Sequence, residues 1–196
     1  MDQFASAFHQ LLQQLMAHLP FFLKFMSVFW LVQCLNHFVF KGRLLVLGIL
    51  PRRPWGLVGV ICSPFLHGDF NHLIVNSLML LVLGLFVLLG GIKVFCVATA
   101  AIILFSGLLT WCFGRPCLHV GASGLVMGYW GYCLVQAYSR PSVVPIAIVA
   151  VCLYYFMGMF TNLFPRDKTV SWEGHVFGFF AGIGVVFLQP WLLRWF

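Results

Sequence analysis

The chain has 196 residues, of which 62% are hydrophobic and only 8% charged, with a net charge of +7. Soluble domains carry about a quarter charged residues, so this composition excludes a soluble globular protein and points to a membrane protein. The eleven Lys and Arg stand singly or in pairs at the ends of apolar segments and form no basic stripe, which excludes nucleic acid as a partner.

A spanning helix needs about 20 apolar residues, so five to seven spans would use most of the chain and leave no separate soluble domain. Residues 1–18 place Phe4, Phe8, Leu11, Leu12 and Leu15 at helical spacing among Gln10, Gln13, Gln14 and His18. They read as a short amphipathic segment on the membrane surface or packed on the end of a bundle. The start lacks a basic region and a small-residue cleavage pattern, so the first apolar run is expected to stay as an anchor.

The first span is expected over 19–40 and carries Lys24, Gln33, Asn36 and His37, so it does not face lipid alone. Residues 41–71 hold Pro51, Pro54, Pro64 and two apolar patches, 44–50 and 55–62, each too short to cross. A partly embedded connecting loop is expected there. Further spans follow at about 71–89, 92–113, 122–139, 143–163 and 174–194, separated by turns rich in Gly, Pro and charge. The predicted fold class is all-α, a polytopic membrane protein.

The seven cysteines contain no CxxC pair, and most lie in apolar runs, where Cys acts as a small hydrophobe. No disulfide framework is expected; Cys112 and Cys117 flank one loop and could pair only in an oxidising space.

Spans two, four and six cross in the same direction. His72 and Asn76 lie near the N-terminal end of the second, Ser123 of the fourth and His175 of the sixth. Parity therefore puts all four near one membrane face at similar depth. A serine hydroxyl needs a base to become a nucleophile, and His is the usual base. Gly124, Gly128 and Gly131 on one span, and Gly178 and Gly182 on the other, form small-residue stripes that let helix backbones touch. The stripes begin beside Ser123 and His175. The competing reading is ordinary packing, with Ser123 bonded to a backbone carbonyl.

His72 and Asn76 are four apart and share a helix face. They read either as donors to a developing oxyanion, helped by the free Ser123 amide of a helix start, or as a polar clamp between helices worth about 1 kcal/mol. His67 beside Gly68-Asp69 is expected to order its loop or bond the start of the next helix. His119, two residues before Gly121, could line the mouth of the site but reads more readily as a solvated loop histidine, and Glu173 reads as a loop residue that does not orient His175. The chain has no HExxH zinc motif, and its acidic residues number only four. The hydrolase elbow G-x-S-x-G also fails, because Leu125 takes the last glycine's place.

These residues resemble the rhomboid intramembrane serine proteases. His67, His72 and Asn76 fit the family pattern H-x4-H-x3-N on the second span. Gly121-Ala122-Ser123-Gly124 fits G-x-S-G at the start of the fourth, and His175, Gly178 and Gly182 fit H-x2-G-x3-G on the sixth. The resemblance covers about residues 55–190. It implies a six-transmembrane-helix bundle over 19–196 with a Ser–His dyad and no third acid. Ser123 would be the nucleophile, His175 the base and then the acid to the leaving amine, and His72, Asn76 and the Ser123 amide the oxyanion hole. Water would arrive through a cavity open to the non-cytoplasmic side. No cofactor and no metal are implied. The partners would be the lipid bilayer and transmembrane protein substrates, cut in or beside a segment whose helix unwinds easily. The bacterial inner membrane is the expected location. The chain departs from the family at Met127, where many members have Tyr, and at Trp55-Gly56, where a Trp-Arg pair is common.

With both termini cytoplasmic, as the resemblance implies, Lys24, Lys93, Arg140 and Arg194 lie inside. Lys41, Arg43, Arg52, Arg53, Arg115, Arg166 and Lys168 lie outside, against the positive-inside rule. The motif match is more specific than that charge count and sets the expected orientation. Two other readings compete with a protease. One is a catalytically weak or inactive relative that binds membrane clients, which would have no need of the Ser–His pair. The other is a transporter, which would usually carry an acid deep in a span.

Overall fold

A computed structural model describes residues 2–139 and 171–195. The fifth span expected over 143–163, with Arg140, Cys152, Arg166 and Lys168, lies outside the described residues. The protein is an all-helical polytopic membrane protein. Among the described residues the only β-type pairing is an isolated antiparallel bridge between Ile49 and His119.

Helix α1 runs from Asp2 to Cys34 with Pro20 inside it. The pattern change at residues 18 and 19 is not a break in the helix, whose stretch apolar enough to cross a membrane begins at Phe8. A π-helical turn, Leu35–Val39, ends it. Lys41 and Gly42 then take left-handed backbone conformations with φ of 50° and 84°, and the Gly42 amide returns to the Asn36 carbonyl at 2.8 Å. The buried Asn36 side chain accepts the Leu44 amide at 3.0 Å. That bond explains a polar residue at the end of an apolar span.

Residues 43–65 cross nothing, as the sequence suggested. They form short helical turns, Arg43–Leu47, Pro54–Leu57 and Ser63–Phe65, and the one-turn helix α2, Gly59–Cys62. Val46, Trp55, Val58 and Ile61 point outward, so this connection exposes an apolar surface. The Arg53 guanidinium stands 5.7 Å over the Trp55 ring, a cation–π contact that takes up the Trp of the Trp55-Gly56 departure.

Helix α3 spans Phe70–Leu88, α4 Ile92–Phe113, α5 Ser123–Ser139 and α6 Trp172–Leu192. Asp69 caps α3 by accepting the His72 amide at 2.8 Å, a bond worth about 1 kcal/mol. Gly91, with φ of 96°, makes the turn into α4.

Helix α1 packs on α3 and α4 through rings. Phe22, Phe25 and Phe95 meet edge-on or tilted with centroids 5.1 to 6.1 Å apart, and Phe95 reaches Tyr129 on α5 at 5.9 Å. Gly84 of α3 leaves room for the Phe22 ring, since a Cβ there would stand 2.7 Å from it. Tyr129 closes its own polar end on the Thr99 hydroxyl of α4 at 2.6 Å. Helices α5 and α6 pack differently, by backbone against backbone, and that contact positions the candidate site.

Candidate active site

The two glycine stripes seen in the sequence face each other. A Cβ on Gly178 would stand 2.1 Å from the Gly124 carbonyl oxygen, and one on Gly182 would stand 1.8 Å from that of Gly128. On the other helix, a Cβ on Gly131 would stand 2.3 Å from the Phe179 carbonyl. No side chain larger than hydrogen fits at these places. Transmembrane helices associate through close packing, and small residues permit it. At the end of the seam a Cβ on Gly124 would lie 3.3 Å from the Gly174 carbonyl. Ser123 precedes Gly124 and His175 follows Gly174, so the seam brings the first turns of α5 and α6 side by side. His175 is buried and Ser123 is half-buried.

The start of α3 meets the same place. A Cβ on Gly121 would lie 2.5 to 2.7 Å from the His72 ring and 3.5 Å from Asn76 Nδ2. Gly121 has φ of 113°, a conformation L side chains rarely adopt, so this turn needs glycine for both space and backbone. Asn76 is buried, and its Nδ2 has no hydrogen-bond partner among the described residues. The four residues singled out in the sequence, His72, Asn76, Ser123 and His175, therefore lie on three helix starts that converge.

The approach to Ser123 is held from both sides. The Gly121 amide donates to the Ser63 carbonyl at 2.9 Å, and the Ala122 amide donates to His67 Nε2 at 3.3 Å. His67 thus orders the loop that leads into Ser123. The start of α3 is capped by Asp69 instead. Burial, and secondarily the nearby His72, lower the pKa of His67 to about 4, so it stays neutral and keeps the lone pair that accepts from Ala122. With the Ala122 carbonyl taking the first helical bond, from Val126, the Ser123, Gly124 and Leu125 amides have no partner within the helix.

A cavity of about 40 Å³ adjoins Ser123 on the side of α4. The residues around it include Ser63, Ser106, Thr110, His119 and Ser171, which give it a polar wall large enough for water. Among the described residues, no three His, Cys, Asp or Glu side chains converge as ligands of an ion would.

Two residues read as solvated from the sequence are buried and bonded. His119 is 4% exposed. Its Nε2 donates to the Arg115 carbonyl at 3.0 Å, which leaves Nδ1 to accept the Ser171 hydroxyl at 2.5 Å. Burial lowers its pKa as well. Glu173 is 2% exposed and lies in the first turn of α6, not in a loop. Its carboxylate accepts the Arg115 backbone amide at 3.2 Å and the guanidinium through Nε and Nη2. That bond raises the pKa of Arg115 further above its ordinary value. Helix α6 starts earlier than expected because this pairing lets a charged residue join it. Met127 is fully buried. Cys112 and Cys117 are both exposed free thiols.

The sequence matches the Rhomboid domain over residues 52–191. It is 36% identical over 175 residues to uncharacterized proteins of Mycobacterium bovis and Mycobacterium tuberculosis, covering 85% of this chain and 72% of each of those. An uncharacterized protein of Mycobacterium leprae is 31% identical over 175 residues, covering 85% of this chain and 69% of its own. The domain match takes in most of the chain, including all three converging helix starts, and the chain belongs to the rhomboid family of integral membrane proteins.

Proposed function

We propose that this protein is an intramembrane serine endopeptidase with Ser123 as nucleophile and His175 as general base. The observation that carries the reading is the buried Asn76 Nδ2, which has no hydrogen-bond partner among the described residues and stands beside Gly121, two residues before Ser123. A buried unsatisfied donor costs about 1–3 kcal/mol. An oxyanion that appears only during reaction repays that cost at the moment it matters.

In this reading a substrate's transmembrane segment unwinds locally and presents a peptide carbonyl to Ser123. The Ser123 oxygen attacks the carbonyl carbon while His175 takes its proton. The negative oxygen is held by Asn76, by the His72 ring N–H and by the Ser123 amide. The C–N bond then breaks, and His175 gives the proton to the leaving amine. Water, drawn from the polar cavity beside Ser123, attacks the acyl-enzyme with His175 again as base, releasing the new carboxyl terminus. No cofactor takes part.

Residues 19–196 form the catalytic membrane domain in this scheme, with 1–18 as a short amphipathic N-terminal segment. The substrates are transmembrane proteins with Gly, Pro or small residues near the cut, because a backbone inside lipid must break its helical bonds to be reached. The bacterial cell membrane is the proposed location, in keeping with the mycobacterial relatives.

The test is cleavage in proteoliposomes of single-span reporter substrates, some carrying a Gly-Pro interruption and some not. The expected outcome is cleavage of the interrupted segments by the wild type and none above background with Ser123→Ala. A folded wild type that cleaves none but still co-purifies with the reporters would overturn this reading and favour a client-binding rhomboid.

A further inference from the structure

We propose that the Arg115–Glu173 ion pair, together with the His119–Ser171 bond, is a positioning clamp that sets His175 against Ser123. The inference rests on the protease reading and deepens it. Neither Glu173 nor Arg115 is placed among the reacting groups, and both act through the helix that carries the base.

The need for a clamp comes from the seam. Glycine against backbone fixes how close α5 and α6 lie at Gly124 and Gly128. The side-chain contacts between the two helices, Trp130 with Phe179 and the Tyr132 hydroxyl with Gln189 Oε1, lie further along, so the end beside Ser123 and His175 has few knobs to stop one helix sliding or turning on the other. The α6 start is also weakly fixed from within. Ser171 makes no side-chain cap bond, and the His175 amide reaches the Ser171 carbonyl only at 3.4 Å. What holds this turn comes from outside. The Glu173 carboxylate receives three donors from Arg115, and Ser171 is held by His119.

Arg115 and His119 belong to the loop between α4 and α5, whose far end is Ser123. The same loop therefore ends in the nucleophile and grips the first turn of the helix carrying the base. The loop has its own anchor. His119 exchanges two backbone bonds of 2.9 Å with Ile49, and Arg52 Nη1 donates to the Cys112 and Gly114 carbonyls at 3.2 and 2.9 Å. His175 lies two residues beyond Glu173 and four beyond Ser171, so any slip of the turn moves the imidazole. A misplacement of about 1 Å costs roughly 100-fold in rate.

The experiment compares wild type, Glu173→Gln, Arg115→Lys and Ser171→Ala in detergent and liposomes. A fluorophosphonate titrates the sites competent to react, and reporter cleavage then gives kcat per titrated site together with KM. Glu173→Gln keeps the shape and loses the charge, and kcat per site is expected to fall about tenfold with KM within twofold, by the geometric sensitivity above. Arg115→Lys keeps the charge without the fork and is expected to fall between Glu173→Gln and the wild type. Ser171→Ala leaves the ion pair intact and is expected to lose a few-fold. A wild-type kcat per site in all three variants overturns the clamp, and so does a loss confined to fewer titratable sites, which is what a purely structural role would give. If Glu173→Gln does not fold, the other two variants decide by the same criterion. A wild type that never labels would instead defeat the protease reading on which the clamp rests.

Discussion

The end of the seam between α5 and α6 that meets the site is made of backbone, whereas the contact of α1 with α3 and α4 is made of rings. In the first, the Gly178 and Gly182 positions stand so close to opposing carbonyls that a single methyl cannot enter. In the second, Phe22, Phe25, Phe29 and Phe95 meet edge-on or tilted. Lipid tails are as apolar as these side chains, so neither interface draws on a hydrophobic driving force, and both depend on packing. The rings lose contacts by degrees when altered. The seam has no such latitude, and it is the interface that ends at Ser123 and His175. The difference places fine geometry where the chemistry is proposed and tolerance where the bundle is only held together.

The largest effect that this contrast implies is at Gly178. Gly178→Val must force α5 and α6 apart, and Ser123 reactivity toward a fluorophosphonate is expected to fall at least 100-fold. Gly184 lies on the same helix with nothing among the described residues within 4 Å of its added Cβ, so Gly184→Ala is expected to label at the wild-type rate. Equal losses in both variants would show that the helix as a whole, and not the seam, is sensitive.

A smaller effect is expected among the rings. Phe95→Ala removes a partner of Phe21, Phe22, Phe25 and Tyr129. A cavity of about 100 Å³ at about 24 cal/mol per Å³ costs on the order of 2 kcal/mol. The expected result is a lower unfolding midpoint with labelling kinetics unchanged at temperatures where the variant is folded. Slower labelling of folded Phe95→Ala would break the comparison, because it would couple the ring cluster to the site.

The effect that is smallest near neutral pH concerns His67, which touches both regions. Its ring lies 6.5 Å from Phe29, and its Nε2 accepts from Ala122 at the head of α5. Its pKa is near 4 when folded against 6.5 as the ordinary value, so the unfolded chain binds the proton first as pH falls. Stability is therefore level above pH 6.5 and declines from 6.5 toward 4, by at most about 1.4 kcal/mol per pH unit. Melting midpoints measured across that range should slope for the wild type and slope less steeply for His67→Gln, in which the buried His119 still contributes in the same direction. Matching slopes in the two proteins would remove His67 as the cause.

Much of this organisation was legible in the sequence. Hydropathy located the helices α3, α4, α5 and α6 to within a few residues; α3, α4 and α6 among them are long and apolar enough to cross a membrane. Parity and the glycine stripes alone put His72, Asn76, Ser123 and His175 near one face. What escaped was long-range pairing. Glu173 reads as a loop residue because an acid before an apolar run is costly alone, and its partner Arg115 lies 58 residues away. His119 reads as solvated for the same reason, since Ser171 lies 52 residues off. One signal was available. In a chain with four acids, an acid beside an apolar run must find a cation or stay in water. The unbroken α1 was also hidden, because a change from glutamine-rich to apolar faces alters what a helix touches without ending it.

The central claim is an activated Ser123 with His175 as its base, and covalent labelling tests it most directly. Purified wild type, Ser123→Ala and His175→Ala are treated with a fluorophosphonate and the adduct is mapped to a peptide. The expected result is a single adduct on Ser123 in the wild type and none in either variant. A folded, monodisperse wild type that takes no label, or a label that persists when Ser123 is alanine, would contradict it.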